Sequence, residues 1–225
     1  MSRVENVTEI LVEEPAKYWC RREVAEAYDS GRFDNLKGRV YRWREERAIE
    51  LALRGVPPGT RVLDAACGTG RIAELLHRNG YHPTGCDVSQ AMMAVARERF
   101  AAFGYELPLV ESRVEHVPYP DKSFDAVTCV GLLMHLDADA RVKALRELAR
   151  VSRGPIVVQY GCIDPFRLVS SRAARGPIGG VQHSVSEAEM GVDFERSGLT
   201  PLEKYWVLRR FSSSLIVLLA KLERA

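Results

Sequence analysis

The sequence lacks most features that mark a secreted or nucleic-acid-binding protein. Its five cysteines are far apart along 225 residues, form no C-x-x-C pair and accompany no histidine cluster. This pattern argues against a disulfide framework or a zinc site and favours a reducing compartment. The net charge is only +2, so the composition gives no electrostatic reason to expect a nucleic acid partner.

Long apolar runs are also missing. The first residues, Met1 to Asn6, lack the apolar stretch of a signal peptide, and the longest aliphatic run, Leu215 to Ala220, is too short to span a bilayer. We therefore expect a soluble, cytoplasmic protein with no membrane span. With 46% hydrophobic and 28% charged residues, the chain suits one globular domain with a full core.

The strongest local pattern runs from Arg61 to Leu76 and predicts a strand, a tight glycine turn and a helix. Strand-forming residues lead into Asp64, small residues follow through Gly68 and Gly70, and aliphatic residues then recur at helical spacing. A position without Cβ lets the backbone approach a ligand closely. The turn also fits the dinucleotide pattern G-x-G-x-x-G/A, completed by Ala73, so the glycines alone do not identify the ligand.

Two acids near this turn carry more information. Asp64 lies four residues before Gly68, where a carboxylate would repel a pyrophosphate and attract an ammonium group. The ligand is therefore expected to carry positive charge at this end. Asp87 ends the next predicted strand and is placed to accept hydrogen bonds from ribose hydroxyls, which many nucleotide ligands would offer.

Glycines and helix-capping residues predict where helices begin and end. A helical pattern from Arg21 to Leu53 is expected to be interrupted at Gly31 and Gly38. Ser89 has the position of a helix N-cap, and Asn79-Gly80 that of a C-cap.

The last part of the chain has equally clear local signals. Ser186 and Glu189 have the spacing of a capping box, which predicts the start of a helix. Pro201 to Leu208 and Ser214 to Leu222 predict a final β-hairpin. The second strand of this hairpin is apolar throughout, so we expect it to be buried on both faces.

Five segments follow one another in an order that is more specific than any one of them. They are Val62–Gly70, Gly85–Ser89 with Met92, Val117–Val127, Leu133–Leu136 and Glu147–Val151. Together they resemble the motifs of class I S-adenosylmethionine-dependent methyltransferases, in the small-molecule, UbiE-like branch (methyltransferase type 11/25). The resemblance extends over about residues 25 to 222.

This resemblance implies an α/β fold of the Rossmann-like type. The expected architecture is a three-layer sandwich with a seven-stranded, mostly parallel sheet, a reversed last strand beside the fifth, and N-terminal lid helices. Residues 1–55 are expected to form an arm and lid helices, and residues 56–225 one compact methyltransferase domain. A reversed last strand is not the topology of a dehydrogenase.

The resemblance also implies contacts to S-adenosylmethionine, whose product is S-adenosylhomocysteine. Asp64 is expected to face the ammonium group, Gly68 and Gly70 to allow close backbone approach, and Asp87 to hold the ribose. The other expected cofactor-binding residues are Tyr28 on a lid helix, Ala66, Val88 and Met92, the backbone of Val114 along the adenine, and the carbonyl of Val130 near the ammonium. For Val88 and Met92, core packing is the alternative.

Two positions are left open. The family usually has an acid where this chain has Arg113, which can only donate hydrogen bonds, so Glu111 or Glu115 must accept from the adenine amino group if any side chain does. His135 lies in the segment that lines the substrate cleft in the family. It could position the substrate or accept its proton as a general base, although we favour a structural role because histidine recurs there whatever the substrate.

Two groups of basic residues also have more than one interpretation. The cluster from Arg39 to Arg47 interleaves arginines with aromatic residues, but it contains Glu45 and Glu46 and is followed by Glu50. We favour a solvated helix face over an anion-binding surface. The segment 161–180 is expected to be an irregular lid over the substrate. Its arginines, which suggest an acidic substrate no more strongly than ordinary exposed charge, are Arg167, Arg172 and Arg175.

The function implied is direct methyl transfer to a small organic molecule by a monomer or homodimer with no nucleic acid partner and no metal. Two alternatives stay open. One is a methyltransferase that acts on RNA or protein through the Arg39 to Arg47 face, and the other is a non-catalytic module that binds the cofactor or its product. A nicotinamide dehydrogenase is disfavoured by Asp64 and by the lack of a separate substrate domain.

Overall fold

The computed structural model describes residues 19–163, 173–175, 181–208 and 212–222. The expected N-terminal arm up to residue 18 lies outside this part of the chain. The same holds for Arg167 and Arg172 of the expected lid, and for the side chain of Arg175.

The main sheet has seven strands: β1 Arg61–Ala65, β2 His82–Asp87, β3 Leu109–Glu111, β4 Ala126–Cys129, β5 Ile156–Gly161, β8 Leu199–Trp206 and β9 Ser214–Lys221. The two remaining strands, β6 Ala173–Arg175 and β7 Val181–His183, form a separate hairpin. The order of strands in the main sheet is β3-β2-β1-β4-β5-β9-β8. Strands β1 to β5 pair in parallel, whereas β9 is antiparallel to both β5 and β8. The predicted reversed last strand beside the fifth is therefore confirmed, and the strand order reverses between β1 and β4, where ligands bind in such sheets.

In the described part of the chain, six helices and one 3-10 turn accompany the sheet. They are α1 Arg22–Phe33, α2 Leu36–Leu53, α3 Arg71–Arg78, α4 Gln90–Ala101, α5 Ala138–Val151, α6 Glu187–Ser197 and the 3-10 turn Leu133–His135. None of these helices is long and apolar enough to cross a membrane.

Two hydrophobic cores lie on opposite faces of the sheet and make the three layers. One core joins the sheet to α5 and α6 through residues such as Leu145, Tyr160 and Phe194. The other joins it to α2 and α3 through residues such as Ile49 and Leu76. Strand β9 contributes to both cores because its alternate side chains point to opposite faces, as expected for a strand buried on both sides.

Local sequence fixes several helix ends as predicted. Ser89 has extended backbone angles and its Oγ accepts a hydrogen bond from the Met92 N–H, which caps α4. Ser186 and Glu189 form both halves of a capping box at α6. Gly80, at φ 81°, follows the end of α3 in the left-handed region that glycine adopts without steric cost.

The predicted helix interruptions at Gly31 and Gly38 are wrong. The chain breaks at Asp34 and Asn35 instead, and Asn35 Oδ1 caps α2 by accepting from the Gly38 N–H at 2.8 Å. Gly38 lies inside α2 at its contact with α1, where an added Cβ would be 2.1 Å from the carbonyl oxygen of Arg32. The glycine therefore permits close helix packing and does not end a helix.

The segment that follows β5 also differs from expectation. Instead of being irregular throughout, it contains β6 (Ala173–Arg175), which pairs with β7 (Val181–His183) as an antiparallel hairpin. Strand β7 contacts the 3-10 turn that ends at His135. This hairpin thus lies beside the segment that was expected to line the substrate cleft.

Candidate functional site

The loop between β1 and α3 lies at the carboxyl edge of the sheet. Ala66, Gly68 and Gly70 all have positive φ, at 58°, 52° and 76°. Among the described residues other than its own chain neighbours, none has an atom within 4 Å of the place where a Cβ on Gly68 would be. A Cβ on Gly70, in contrast, would be 3.0 Å from Ala96 Cβ on α4. Gly68 therefore leaves room for a ligand against the backbone, and Gly70 allows the loop to pack on α4.

Asp64 is buried beneath this loop, with 1% of its surface exposed. Its Oδ1 accepts a hydrogen bond from Thr128 Oγ1 at 3.0 Å, while Oδ2 meets no hydrogen-bond donor in the described part of the chain. Burial raises the pKa of Asp64 to about 7, although the Thr128 hydrogen bond, the charge of Arg71 and the backbone N–H of Ala73 act in the opposite direction. A cationic ligand group beside Oδ2 would offset the cost of burying this carboxylate.

Asp87 ends β2 and connects the loop to the start of α4. Its Oδ2 accepts from the Gly68 N–H at 2.8 Å, and its Oδ1 accepts from the Ser89 N–H at 2.9 Å. Burial raises the pKa of Asp87, against the effect of these backbone donors. Since each carboxylate oxygen can accept more than one hydrogen bond, Asp87 is still able to accept from ligand hydroxyls.

Arg71, the first residue of α3, takes part in a buried polar network. Its side chain is nearly enclosed, at 7% exposure for the residue, and its Nη2 donates to Glu45 Oε2 at 2.5 Å. The guanidinium lies over the Phe33 ring at 4.8 Å, and Nη1 has no hydrogen-bond partner in residues 19–163, 173–175, 181–208 or 212–222. Glu45 Oε1 accepts from Gln159 Nε2 at 2.6 Å, so strand β5 also holds this network.

The prediction for Glu45 was wrong. We expected this residue on a solvated helix face, but only 1% of its surface is exposed. Although burial raises the pKa of Glu45, the positive charges of Arg71 and Arg32 outweigh that effect and lower it. The carboxylate therefore stays ionised inside the protein as the partner of Arg71.

Helix α1 is held over the glycine loop by Asp29. Asp29 Oδ2 accepts from Thr69 Oγ1 at 3.0 Å and also from Arg99 Nη2. Arg99 donates further to the carbonyl oxygen of Thr69, at 2.9 Å, and to Glu74 Oε2, at 2.7 Å. Asp29 Oδ1 is buried and has no partner. These hydrogen bonds of Asp29 and Arg99 join α1, which also carries Tyr28, to Thr69 of the glycine loop.

Aromatic rings from three parts of the chain meet near the same place. The Trp19 ring packs edge to face with Tyr28, at 5.5 Å between centroids, and with His135, at 6.0 Å. Tyr28 OH accepts a hydrogen bond from Arg32 Nη1, and the carbonyl oxygen of Trp19 accepts from Ser89 Oγ at 2.7 Å. The structure thus brings Tyr28 and His135 together through a tryptophan that the sequence had not singled out.

The expected adenine-binding residues lie at the ends of β2 and β3. Val114 and Met92 are buried and Val88 is half-buried, while Val130, beyond β4, packs against the core next to α2 and α3. The Arg113 side chain is exposed and lies 3.3 Å from Glu115, and exposed Glu111 accepts from Gln90 Nε2.

Three polar groups of the site were not identified from the sequence. They are Arg71, Ser112 and Thr128. Arg71 was the easiest of them to predict, because a basic residue at the first position of a helix opposes the helix dipole and so indicates another purpose. Thr128 and Ser112 carry no comparable signal in the sequence.

Comparison with known proteins adds independent information. Residues 62–154 match the family model described as a methyltransferase domain. The chain is 39% identical over 132 residues to the demethylmenaquinone methyltransferase of Thermus thermophilus, an alignment that covers 57% of this chain and 57% of the relative. It is 32% identical over 143 residues to the ubiquinone/menaquinone biosynthesis C-methyltransferase UbiE of Cupriavidus pinatubonensis, covering 61% of this chain and 57% of the relative. The chain thus spans little more than half the length of these relatives.

One solved structure extends the likeness beyond the matched domain. The CcbJ methyltransferase from Streptomyces caelestis superposes with a TM-score of 0.70 and covers 93% of this chain and 99% of that one. Since the two sequences are only 17% identical, this likeness shows the fold alone.

Proposed function

The chain belongs to the class I S-adenosylmethionine-dependent methyltransferases of UbiE-like type, and on that premise we propose that it transfers a methyl group to a small organic acceptor. One observation carries the proposal: the buried Asp64 carboxylate has an oxygen without a partner beside the open backbone of Gly68. This arrangement suits the ammonium end of S-adenosylmethionine, the cofactor of the family, and would repel a pyrophosphate.

The residues present fit this cofactor. Asp64 Oδ2 would accept from the ammonium group and Asp87 from the ribose hydroxyls, while Gly68 leaves the space that the ligand needs. The remaining binding roles are proposed from the resemblance: Val88, Met92 and the Val114 backbone around the adenine, and Ala66, Gly70, Val130 and Tyr28 along the rest of the cofactor.

When bound, S-adenosylmethionine supplies an electrophilic methyl group that a nucleophile takes in one in-line displacement. The task of the chain is to position donor and acceptor and to exclude water, which together are worth up to roughly 7 to 11 kcal/mol. Trp19 and Tyr28, whose rings pack edge to face, would help to cover the bound cofactor. His135 would position the acceptor, or accept its proton where the acceptor is a hydroxyl or a protonated amine.

The acceptor class follows from the relatives and from the charge of α2. One relative is named as a demethylmenaquinone methyltransferase and another as a C-methyltransferase of ubiquinone and menaquinone biosynthesis, so reduced quinones of this kind are the first acceptors to test. A polyanionic acceptor is less favoured because Arg42 and Arg47 on α2 are paired with Glu46, at 2.7 Å, and Glu50, at 3.2 Å. We further propose a cytoplasmic monomer or homodimer, with lid helices in residues 1–55 and the catalytic domain in residues 56–225.

Calorimetry with purified protein tests the cofactor first. We expect S-adenosylmethionine and S-adenosylhomocysteine to bind and nicotinamide dinucleotides not to bind. Tight binding of a nicotinamide dinucleotide together with no binding of the other two would overturn the proposal. Mass spectrometry of reactions with reduced demethylmenaquinone and with simpler phenols then tests transfer, and a protein that binds the cofactor but methylates none of them would support a binding module instead.

A further inference from the structure

Two buried charged groups of opposite sign flank the glycine loop, and each has one atom without a partner. Among the described residues, the buried side-chain nitrogen and oxygen atoms that lack a hydrogen bond are Asp29 Oδ1, Asp64 Oδ2, Arg71 Nη1 and Ser112 Oγ. Asp64 precedes the loop in β1, Arg71 follows it at the start of α3, and Asp29 lies on α1, which is hydrogen-bonded to the loop. An ionised buried group without a full set of partners is costly, so a cluster of them at one place indicates a ligand that satisfies them.

Arg71 is not explained by its ion pair alone. That pair uses Nη2, which donates to Glu45 Oε2 at 2.5 Å, while Nη1 on the same guanidinium is buried and unused. The Phe33 ring lies 4.8 Å from the guanidinium, and Gln159 fixes Glu45 from β5. The side chain is therefore held rigidly, with one donor left free to meet an incoming acceptor.

Arg71 stays charged although it is buried, and the acids next to it already have partners. Although burial acts to lower the pKa of Arg71, the nearby Glu45, Tyr28 and Asp29 raise it, so the guanidinium stays charged. Of these groups, Asp29 is already neutralised by Arg99 and Glu45 is committed to Arg71 itself. The positive charge of Arg71 also acts against the effect of burial on the pKa of Asp64. The two residues border the glycine loop in the chain, with Asp64 in β1 before it and Arg71 at the start of α3 after it.

We propose that Arg71 Nη1 binds the α-carboxylate of the cofactor's amino-acid tail, opposite Asp64, which binds the ammonium group. This inference rests on the proposed function. The tail is a zwitterion, and the two charged residues that border the glycine loop in the chain, Asp64 before it and Arg71 after it, each have an unsatisfied atom of complementary sign. A planar guanidinium held by Glu45 would recognise the carboxylate by direction as well as by charge.

The test compares two ligands that differ only in the carboxylate: S-adenosylmethionine and decarboxylated S-adenosylmethionine. Calorimetry without an acceptor measures the dissociation constant of each. For the unaltered protein we expect the decarboxylated ligand to bind about tenfold to a hundredfold more weakly. Equal affinity would overturn the role of Arg71 while leaving the proposed function intact.

A double variant, Arg71→Met with Glu45→Gln, removes the guanidinium without leaving a buried charge unpaired. The amide introduced by Glu45→Gln would keep an acceptor for Gln159. We expect this variant to lose affinity for S-adenosylmethionine by about tenfold or more and to bind the decarboxylated ligand as the unaltered protein does, so that the ratio falls to about one. A single Arg71→Lys variant keeps the positive charge but loses the planar set of guanidinium N–H donors. Its ratio of the two dissociation constants should lie between those of the unaltered protein and the double variant.

A second buried ion pair provides the matched control. Arg141 on α5 pairs with Asp193 on α6 at 2.7 Å and is similarly enclosed. The double variant Arg141→Met with Asp193→Asn should lower the melting temperature and leave the ligand ratio unchanged. If the Arg71 variants weaken both ligands equally, Arg71 serves only the fold and the inference is wrong. If the unaltered protein binds neither ligand nor S-adenosylhomocysteine, the proposed function fails and this inference fails with it.

Discussion

At the scale of single residues, Asp64 is placed to bind a ligand although its burial lowers the stability of the folded protein. The protein gives its carboxylate one side-chain hydrogen bond, from Thr128, and leaves the other oxygen buried without a partner. A neutral side chain of the same shape would fold more easily at this position. The charge is thus better explained by a cationic ligand than by packing.

Asp64→Asn tests this explanation because the amide keeps an acceptor for Thr128 but removes the negative charge. We expect the affinity for S-adenosylhomocysteine, measured by calorimetry, to fall about tenfold to a hundredfold, while the melting temperature stays equal or rises. Thr128→Val is the control, since it removes the hydrogen bond but not the charge. It should lower stability by about 1 to 2 kcal/mol and retain binding. Unchanged affinity in Asp64→Asn would contradict the role of the charge.

Ala66 is strained for a different reason. It is a non-glycine residue in the left-handed region, at φ 58°, within the glycine loop. Ala66→Gly removes the steric penalty, so we expect the free energy of unfolding to rise by up to about 1 kcal/mol in urea titrations. Lys122, at φ 55° in a turn away from the loop, gives the matched change Lys122→Gly, which should have a similar effect on stability and none on cofactor affinity. A loss of stability in Ala66→Gly would show that the alanine methyl makes a packing contact worth more than the strain.

Residue roles were predictable where a motif fixes both position and chemistry, and not where two distant residues depend on each other. Asp64 and Asp87 follow strands and border a glycine turn, so the sequence predicts their place at the sheet edge. Glu45 and Arg71 are 26 positions apart, and neither alone reveals that the other neutralises it. The same holds for Asp29, whose partners lie on the loop and on α4.

At the scale of elements, the contact between α1 and α2 depends on one glycine. Gly38 lies where α2 approaches the backbone of α1, and an added Cβ would be 2.1 Å from the Arg32 carbonyl oxygen. The two helices would have to separate. Because Asp29 on α1 is latched to the glycine loop, a displaced α1 should also weaken cofactor binding.

Gly38→Ala should therefore lower the free energy of unfolding by about 1 to 3 kcal/mol and speed amide exchange in α1. Its control is Gly191→Ala on α6, where an added Cβ would have no atom within 4 Å. There the usual helix propensity applies, and we expect a gain of about 0.5 to 1 kcal/mol. Hydrogen exchange with mass spectrometry measures both variants. Protection of α1 in Gly38→Ala equal to that of the unaltered protein would contradict the argument.

This glycine also explains why the predicted interruption was wrong. In a sequence, Gly38 resembles any helix breaker, and only the neighbouring backbone shows that its missing side chain is needed for packing. The capping residues Ser89 and Ser186 were predictable because their partners are three residues away in the chain. Local rules thus located helix starts, while helix contacts needed the tertiary structure.

At the scale of the whole molecule, the sheet was the most predictable part. Ordered motifs set the five parallel strands, and the apolar run 215–220 could be buried on both faces only in a central strand. The hairpin of β6 and β7 was not predictable, because its strands have three residues each and lack alternating polarity. Short pairings of this kind depend on what they pack against.

The free energy of unfolding should depend on pH through the protonation of Asp64. Burial raises the pKa of Asp64 to about 7, above its ordinary value of about 3.9. Between these values the folded state holds a proton that the unfolded state has released. The contribution of Asp64 to stability is therefore full below about pH 4, falls as the pH rises towards 7, and changes no further above that.

Cofactor binding should show the opposite trend, since an ammonium group needs the ionised carboxylate. We expect the affinity for S-adenosylhomocysteine to rise with pH by up to about tenfold per unit and to level off above pH 7. Asp64→Asn has no charge to titrate, so the difference in unfolding free energy between the unaltered protein and this variant isolates Asp64 from Asp87, whose pKa burial also raises. Urea titrations and calorimetry from pH 5 to 8 measure both trends. Parallel pH profiles of stability and binding in the two proteins would show that Asp64 is ionised throughout and that its burial does not couple folding to cofactor binding.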